Sequence, residues 1–511
     1  MSVSKAAASA RLQLQVIGGS GRHEHFQCDG VTTQNAYRLL ALMAKDSTES
    51  QGVIMCDSVP PEGEVHASST SSEPGDSSVE EWIPAVVCVL VIVYLARRLV
   101  GLCRELAADH ERPSDRMVEP LLPRPKSSAP RTERFVGLDV FRGFTVCWMI
   151  FVNYGGGGLG FFNHSAWDGL TFADVLFPWF AWIMGYTLFI SSERMLSMSA
   201  WSHLQLVLTR STKLFLLGLF LNSGKTWMDW RIPGVLQALS VAYSVTALQT
   251  RALTSLSWPF HDVFHRQIVL GLLPLAILNL SFTFLLPVPG CPTGYLGPGG
   301  DSDGGRHRNC TGGAHLYVDQ VIFGIRHLYQ TPTCQQEYHT GAYDPEGLLN
   351  WLMVAVTAYL GYINAMLVTK RTRTRVLLIT SAVLIIAGLA ISGLWYTPSS
   401  PWIPVNKNLW SLPFVLVTSG LGNGCLAVLA VVFDSKRHHA ALDHIERVLC
   451  AVGRNAIVLY VMHEALQSFF PFSARPYDTT THALVLHNVA AVVWWVCVAV
   501  WMTRHRLFLT V

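Results

Sequence analysis

The sequence predicts an all-α polytopic membrane protein, and three observations support this fold class. Half of the 511 residues are hydrophobic and only 14% are charged. The mean hydropathy is +0.33, whereas a soluble chain of this length needs more charge to cover its surface. Apolar segments long enough to cross a hydrocarbon core of about 30 Å recur along most of the chain.

The length criterion predicts about eleven transmembrane helices, each of about 20 residues. In order they lie at Trp82–Ala96, Leu138–Tyr154, Phe172–Ile190, Leu206–Leu221, Val235–Leu248, Ile268–Leu286, Leu348–Val368, Val376–Trp395, Leu409–Phe433, Ala456–Phe470 and Ala483–Met502. An odd number of spans places the two termini on opposite sides of the membrane. We expect the N-terminus to be lumenal and the C-terminus to be cytosolic.

Changes in composition divide the chain into four parts. They are a lumenal and mostly disordered segment (1–80), the first transmembrane helix (81–102), a polar, proline-rich cytosolic linker (103–134), and a membrane domain (135–511) with a lumenal loop at 287–347. No apolar stretch is visible in residues 1–30. We therefore expect the first span to act as an uncleaved signal-anchor with a translocated N-terminus.

Positive charge alternates between the two sides of the predicted spans. The loops assigned to the cytosol carry Arg97, Arg98, Arg104, Arg194, Arg251, Arg266, Lys370, Arg371, Arg373, Arg375, Lys436, Arg437, Arg504 and Arg506. The opposite loops carry far fewer Lys and Arg residues. Solvation explains why charge lies at helix ends, but it does not explain why positive charge alternates between the two sides. The positive-inside rule explains the alternation.

The long loop after Leu286 has features of a translocated, oxidising compartment. Cys291 and Cys310 flank a Gly/Pro-rich stretch and form the most economical disulfide. Cys334 is then left to pair with Cys28 or Cys56, or to stay free. A glycosylation sequon begins at Asn309 and belongs to the same compartment.

Several classes of function lack support in the sequence. The Cys and His residues show no zinc-type spacing, so no metal is expected. No P-loop, dinucleotide-binding fingerprint or Gly-x-Ser-x-Gly motif is present. A net charge of +3 without a basic, aromatic-rich block argues against a nucleic-acid partner.

Polar residues gather at the predicted lumenal ends of the spans. The second span ends at Asn153, a glycine-rich loop brings His164, and the third span opens with Asp174 in its first turn. A carboxylate is favoured there by the helix dipole. From these residues alone, a glycine-rich turn with an interfacial histidine is the simpler interpretation.

The same predicted face carries six more candidate binding residues: Arg231, Glu346, Asn406, Lys407, His463 and Glu464. Snorkelling or helix capping explains any one of them. Ionisable groups at membrane depth are costly, however, and usually line a cavity or pathway.

Nine ordered strings in the membrane domain resemble those of the lysosomal transmembrane heparan-α-glucosaminide N-acetyltransferases. They are Asp139–Gly143, Phe151–Gly157, His164–Leu170, Ala173–Phe180, Arg231–Gln237, Asn309–Gly313, Tyr343–Gly347, Ile403–Leu412 and His463-Glu464. The likeness covers residues 134–511, and its specificity comes from the number and order of the strings.

This resemblance implies transfer of acetyl from cytosolic acetyl-CoA to the terminal glucosamine amine of heparan sulfate, in a multi-pass protein of the lysosomal membrane. The family's active-site histidine falls on His164, and an asparagine implicated beside it falls on Asn153. Imidazole suits an acidic lumen, as a general base or as an acetylated nucleophile. Asn153 could donate to the developing oxyanion. Arg231 and Lys407 are expected to contact sulfate, carboxylate or CoA phosphate.

Three alternatives stay open at this stage. The acceptor could be another amino sugar, since the resemblance does not fix it. A transporter of a sugar or nucleotide-type solute predicts inverted repeats, and none is visible. A membrane scaffold gives no reason for the clustered polar residues. The partners expected are the lipid bilayer and the acceptor sugar, and a homodimer is one assembly that the resemblance allows.

Overall fold

We describe the protein from a computed structural model. The structure describes residues 11–17, 23–29, 135–223, 229–256, 262–368, 373–393, 402–433, 440–469, 472 and 480–508. The predicted first span and the linker at 103–134 lie outside these residues. The chain divides into two units, Met1–Leu90 and Val91–Val511.

The first unit contains an antiparallel hairpin in the segment expected to be mostly disordered. Strands β1 (Arg11–Ile17) and β2 (His23–Asp29) pair along their whole length, with Arg11 opposite Asp29. The rest of the segment, including the predicted disorder, lies outside the described residues.

The second unit is α-helical. Its helices are α1 (Val136–Asn153), α2 (Phe172–Ile190), α3 (Ser192–Ser197), α4 (Ala200–Leu221), α5 (Val235–Ser255), α6 (Val263–Leu285), α7 (Ala314–Phe323), α8 (Thr333–Tyr338), α9 (Leu348–Leu367), α10 (Arg373–Ser392), α11 (Leu412–Phe433), α12 (Ala440–Arg454), α13 (Ala456–Leu466) and α14 (Thr481–Arg504).

The prediction of an all-α polytopic membrane protein is confirmed. In the described part of the chain, eight helices are long and apolar enough to cross a membrane: α1, α2, α4, α6, α9, α10, α11 and α14. The predicted spans at 235–248 and 456–470 correspond to the less apolar α5 and the short α13. The total of eleven spans and the sides of the two termini stay predictions.

Several span boundaries differ from the prediction, and two of these differences have clear local reasons. The ninth predicted span was placed from Leu409, but α11 begins at Leu412 because Trp410 adopts a left-handed turn with φ 44°. The fourth begins at Ala200, before the predicted Leu206, and Ser199 caps it by accepting a bond from the Ser202 amide. Hydropathy alone does not detect a helix cap, so the predicted start of the fourth span was too late.

The interior of the membrane domain is built on the contact between α2 and α9, the two most buried spans. Gly185 of α2 lies against the backbone of Ala358, and Gly361 of α9 lies against the backbone of Trp182. Small residues at such crossings let two helix backbones approach closely. By contrast, only 17–22% of the apolar window is buried in α4, α6, α10 and α14, as expected for helices that face lipid.

Residues 287–347, which we call the cap, fold over one end of the helices. The cap contains α7, α8 and the predicted Cys291–Cys310 disulfide, with Cα atoms 5.6 Å apart. Cys334 is a buried free thiol beside Thr340. Asn309 is exposed, so its side chain is accessible, and its glycosylation stays a prediction.

Candidate functional site

The loop between α1 and α2 is held on the cap. Trp167 is fully buried there, donates its indole N–H to the Leu296 carbonyl at 2.9 Å, and packs edge-on against Tyr343. On the other side of the loop, the Gly169 amide donates to the Val405 carbonyl at 2.8 Å. These contacts fix the segment that carries His164.

His164 and Asp174 form a hydrogen-bonded pair. Nδ1 of His164 lies 2.7 Å from Oδ1 of Asp174, whose side chain is completely buried. The other carboxylate oxygen accepts bonds from the amides of Ser165 and Thr171 and from the Thr171 hydroxyl. Because a carboxylate only accepts, Nδ1 of His164 donates to it and Nε2 is left to react.

Lys407 brings a positive charge against the same imidazole. Its Nζ lies 3.2 Å from Nδ1 and 3.5 Å from Nε2 of His164, and 3.9 Å from Oδ1 of Asp174. The pKa of His164 is lowered, first by the Lys407 charge and then by burial, against the opposing effects of Asp174 and Glu346. His164 therefore keeps its neutral form at lower pH than a free imidazole does.

Asn153 at the end of α1 is bonded to α13. Its Nδ2 lies 2.7 Å from Oε1 of Glu464 and 2.9 Å from Nε2 of His463. Because an amide nitrogen only donates, Nε2 of His463 accepts from Asn153, and its other ring nitrogen donates to the Leu459 carbonyl. Both N–H bonds of Asn153 are engaged, which favours a role in positioning Glu464 over donation to an oxyanion.

Arg231 forms a buried ion cluster with two carboxylates. Its guanidinium donates to Oδ2 and Oδ1 of Asp344 at 2.8 and 2.7 Å and also to Glu346, and it stacks 4.6 Å from the Tyr329 ring centre. The cluster ties the segment before α5 to the cap and positions Glu346. Its Nε and Nη2 donors are used within the protein.

Asn406 likewise supports the site from within the protein. Its Nδ2 donates to Oδ1 of Asp168 at 3.0 Å, and its Oδ1 accepts from the Leu409 amide at 2.9 Å. Since Asp168 belongs to the His164 loop, Asn406 joins that loop to the turn that presents Lys407.

A cavity of about 570 Å³ runs between α1, α2, α4, α5 and α13. At one end it is lined by Asn153, His164, Glu346, Lys407 and Glu464, and at the other by Arg142, Ser191, Met195 and Arg454, with Arg210 in the middle of α4 between them. Along α2 it extends from Ala173 to Ser191, a distance of about 27 Å at about 1.5 Å per residue. This cavity, which we call the long cavity, approaches the thickness of a hydrocarbon core.

A second cavity of about 650 Å³ opens between the His164 loop and α8 of the cap. We call it the cap cavity. It shares Val152, Asn153, His164 and Glu464 with the long cavity, and we call these four residues the neck. Two compartments therefore meet at the imidazole of His164.

The sequence is similar to those of two curated proteins. The chain is 38% identical over 421 residues to human heparan-α-glucosaminide N-acetyltransferase, a match covering 78% of this chain and 62% of the human protein. The mouse protein of the same name is 33% identical over 523 residues, covering 92% of this chain and 76% of that protein. This chain belongs to the heparan-α-glucosaminide N-acetyltransferase family. No family model matches it.

The residues predicted for the site of this heparan-α-glucosaminide N-acetyltransferase family member fall into two groups. His164, Asn153, Glu464, Glu346 and Lys407 line the cavities. Four others stand behind that lining, within hydrogen-bonded pairs or clusters: Asp174, Arg231, Asn406 and His463.

Two groups of lining residues were missed from the sequence. Arg210 lies in the middle of an apolar helix, where its charge resembles ordinary snorkelling. Thr333, Gln336 and Glu337 lie on the short polar helix α8, which has no hydrophobic period to reveal it. Their spacing of three and four residues was the available signal.

Proposed function

We propose that this chain is a lysosomal membrane acetyltransferase that moves acetyl from cytosolic acetyl-CoA to the terminal glucosamine amine of heparan sulfate. The observation that carries the proposal is the neck, where His164 borders two cavities that lead to different ends of the membrane domain. A donor and an acceptor that enter from opposite sides can meet there. Family membership supplies the reaction class.

The long cavity suits acetyl-CoA. Arg142 and Arg454 lie at its far end, which the positive-inside pattern assigns to the cytosol, and Arg210 lines it further in. Guanidinium groups pair well with phosphate, and CoA carries several phosphates at the end remote from its thiol. Apolar side chains such as Leu176, Phe180 and Ile183 line the path between. The acetyl thioester would then reach His164.

His164 would act as the proton carrier in a direct transfer. The acceptor ammonium gives up one proton to solvent, and its nitrogen attacks the thioester carbonyl as Nε2 of His164 takes the second. The carbon–sulfur bond then breaks, and the imidazolium protonates the CoA sulfur. Lys407 supplies positive charge close to the developing oxyanion, and Asp174 holds the imidazole in the tautomer that exposes Nε2.

Radiolabelled acetyl-CoA and a glucosamine acceptor, added to membranes that contain the chain, test the proposal. We expect labelled N-acetylglucosamine product from the wild type, and a loss of about 100-fold to 10,000-fold in His164→Ala. His444→Ala is the matched control, because His444 is exposed on α12 and lines neither cavity. Activity in His164→Ala equal to the wild type would remove His164 from the mechanism.

Three further measurements separate this proposal from the alternatives. Saturating acetyl-CoA should raise the apparent melting temperature of the purified protein, because a ligand of the native state stabilises it. Solute uptake into proteoliposomes without acetyl-CoA, together with no acetyl transfer, would instead establish a transporter. Labelled acetyl retained on His164 without acceptor would replace direct transfer by a covalent relay.

A further inference from the structure

We propose that the exposed face of α8 and Glu464 form the acceptor subsite, in which Glu337 and Glu464 bind a cationic amino sugar through its ammonium group. The proposal rests on the proposed acetyl transfer and identifies the residues that select its acceptor. It concerns the cap cavity, whose role in recognition the sequence did not indicate.

The face of α8 that borders the cap cavity is polar. Thr333, Gln336 and Glu337 are spaced by three and four residues, share one side of the helix, and are all exposed. Cys334 is buried on the other side. The wall opposite the neck therefore presents a hydroxyl, an amide and a carboxylate, a set that suits the hydroxyls and amine of a sugar ring.

The balance of charge that lines the two cavities differs in sign. Among the described residues of the cap cavity, the carboxylates are Glu337 and Glu464, and no Lys or Arg is present. The long cavity has four cations, Arg142, Arg210, Lys407 and Arg454, against two carboxylates, Glu346 and Glu464. An anionic ligand is favoured in the long cavity and a cationic ligand in the cap cavity.

An ammonium group fits this cap cavity better than the groups that commonly replace it on a sugar. An aliphatic amine is protonated at acidic pH and offers three N–H donors to the two carboxylates. A hydroxyl at the same position forms no ion pair, and a sulfated nitrogen would be repelled. Glu464 accepts one bond from Asn153 and, as a carboxylate, can accept further bonds.

The wall that carries Glu337 is held in place before any ligand arrives. The Asp301 amide donates to the Tyr338 carbonyl at 2.8 Å, and the Cys334 thiol contacts the Thr340 hydroxyl at 3.3 Å. Leu328, Tyr343 and Cys334 belong to the buried core beneath α8. A subsite on a fixed helix loses little conformational entropy when the sugar binds.

The test compares Glu337→Gln with the wild type, using methyl glucosaminide as acceptor and methyl glucoside as a competing ligand that lacks the amine. We expect the KM for the acceptor to rise about fivefold, as for a partly exposed ion pair. The inhibition constant of methyl glucoside, kcat and the KM for acetyl-CoA should each stay within about twofold. Asp303→Asn is the matched control, since Asp303 is an exposed cap carboxylate outside the cap cavity.

If the acceptor KM and the inhibition constant of methyl glucoside both rise fivefold, the variant has a general defect of the cavity. That result would overturn ammonium recognition. An unchanged acceptor KM in Glu337→Gln would do the same. Binding can also be followed without turnover, by the thermal stabilisation that each methyl glycoside gives in the absence of acetyl-CoA. Preferential binding of the amine without any acetyl transfer would refute the proposed function and leave this inference standing.

Discussion

The ammonium nitrogen of Lys407 lies 3.2 Å from Nδ1 of His164, although 243 residues separate them in the chain. The positive charge of Lys407 disfavours the protonated form of the imidazole and so lowers the pKa of His164. Asp174 and Glu346 act in the opposite sense. The environment therefore suits a base that has to work in an acidic compartment.

Lys407→Met should make acetyl transfer more sensitive to acid. Without the lysine charge the pKa of His164 rises, so more of the imidazole is protonated and inactive as a base at low pH. We expect the ratio of the rate at about pH 5 to the rate at about pH 7 to fall, while Lys407→Arg preserves it. An identical pH–rate profile in Lys407→Met would contradict this role.

Asp174→Asn should lower kcat by about 100-fold or more, because the charged acceptor that orients Nδ1 of His164 is lost. The KM for acetyl-CoA should change less than about threefold, since Asp174 does not line the long cavity. Thr171→Val removes one hydroxyl bond to the same carboxylate and serves as the milder comparison. An equal fall in kcat in the two variants would show that Asp174 acts only by anchoring the His164 loop.

Gly185→Ala should destabilise the membrane domain. A Cβ atom at this position would lie 1.7 Å from the Ala358 carbonyl oxygen, so α2 and α9 would have to separate. Overpacking of this kind costs about 1–3 kcal/mol, measurable as a lower melting temperature in detergent. Gly341→Ala is the control, because a Cβ atom there meets nothing within 4 Å. Similar melting temperatures for both variants would refute the close crossing.

Asp319→Asn should change how stability depends on pH. Burial raises the pKa of Asp319 in the cap from 3.8 to about 8, so the folded state holds a proton that the unfolded state releases. The resulting stability is fully present below about pH 4 and is lost as the pH rises to about 8. Asparagine stays neutral throughout. We expect Asp319→Asn to melt higher than the wild type near pH 8 and similarly near pH 4, and parallel curves would contradict this.

The long spans could be predicted from the sequence because their length and hydropathy are local properties. α6 and α10 are examples, since neither needs a partner to be recognised as apolar and continuous. The amphipathic α12 was missed, because Asp443, Glu446 and Arg447 interrupt its apolar residues. Its apolar face packs against α1, and the helical period of that face, rather than its mean hydropathy, was the available local signal.

The site was predictable as a set of residues but not as a set of contacts. Family strings marked Arg231 and Lys407 as candidate ligand-binding cations. Their partners were hidden, because Arg231 pairs with Asp344 across 113 residues and Lys407 contacts His164 across 243. Pairings of this kind are decided by the folded arrangement of helices and cap. A contact between residues so far apart in the sequence cannot be predicted from the spacing of residues.

The neck around His164 has a thermodynamic consequence. Each cavity reaches the imidazole from its own end, so under the proposed function the donor and acceptor come from separate reservoirs and each product leaves by the route its substrate entered. In the proposed orientation, the ratio of acetyl-CoA to CoA on one side drives a reaction whose acceptor is on the other. Reversal would require the acetylated sugar and free CoA to return together from two different solutions.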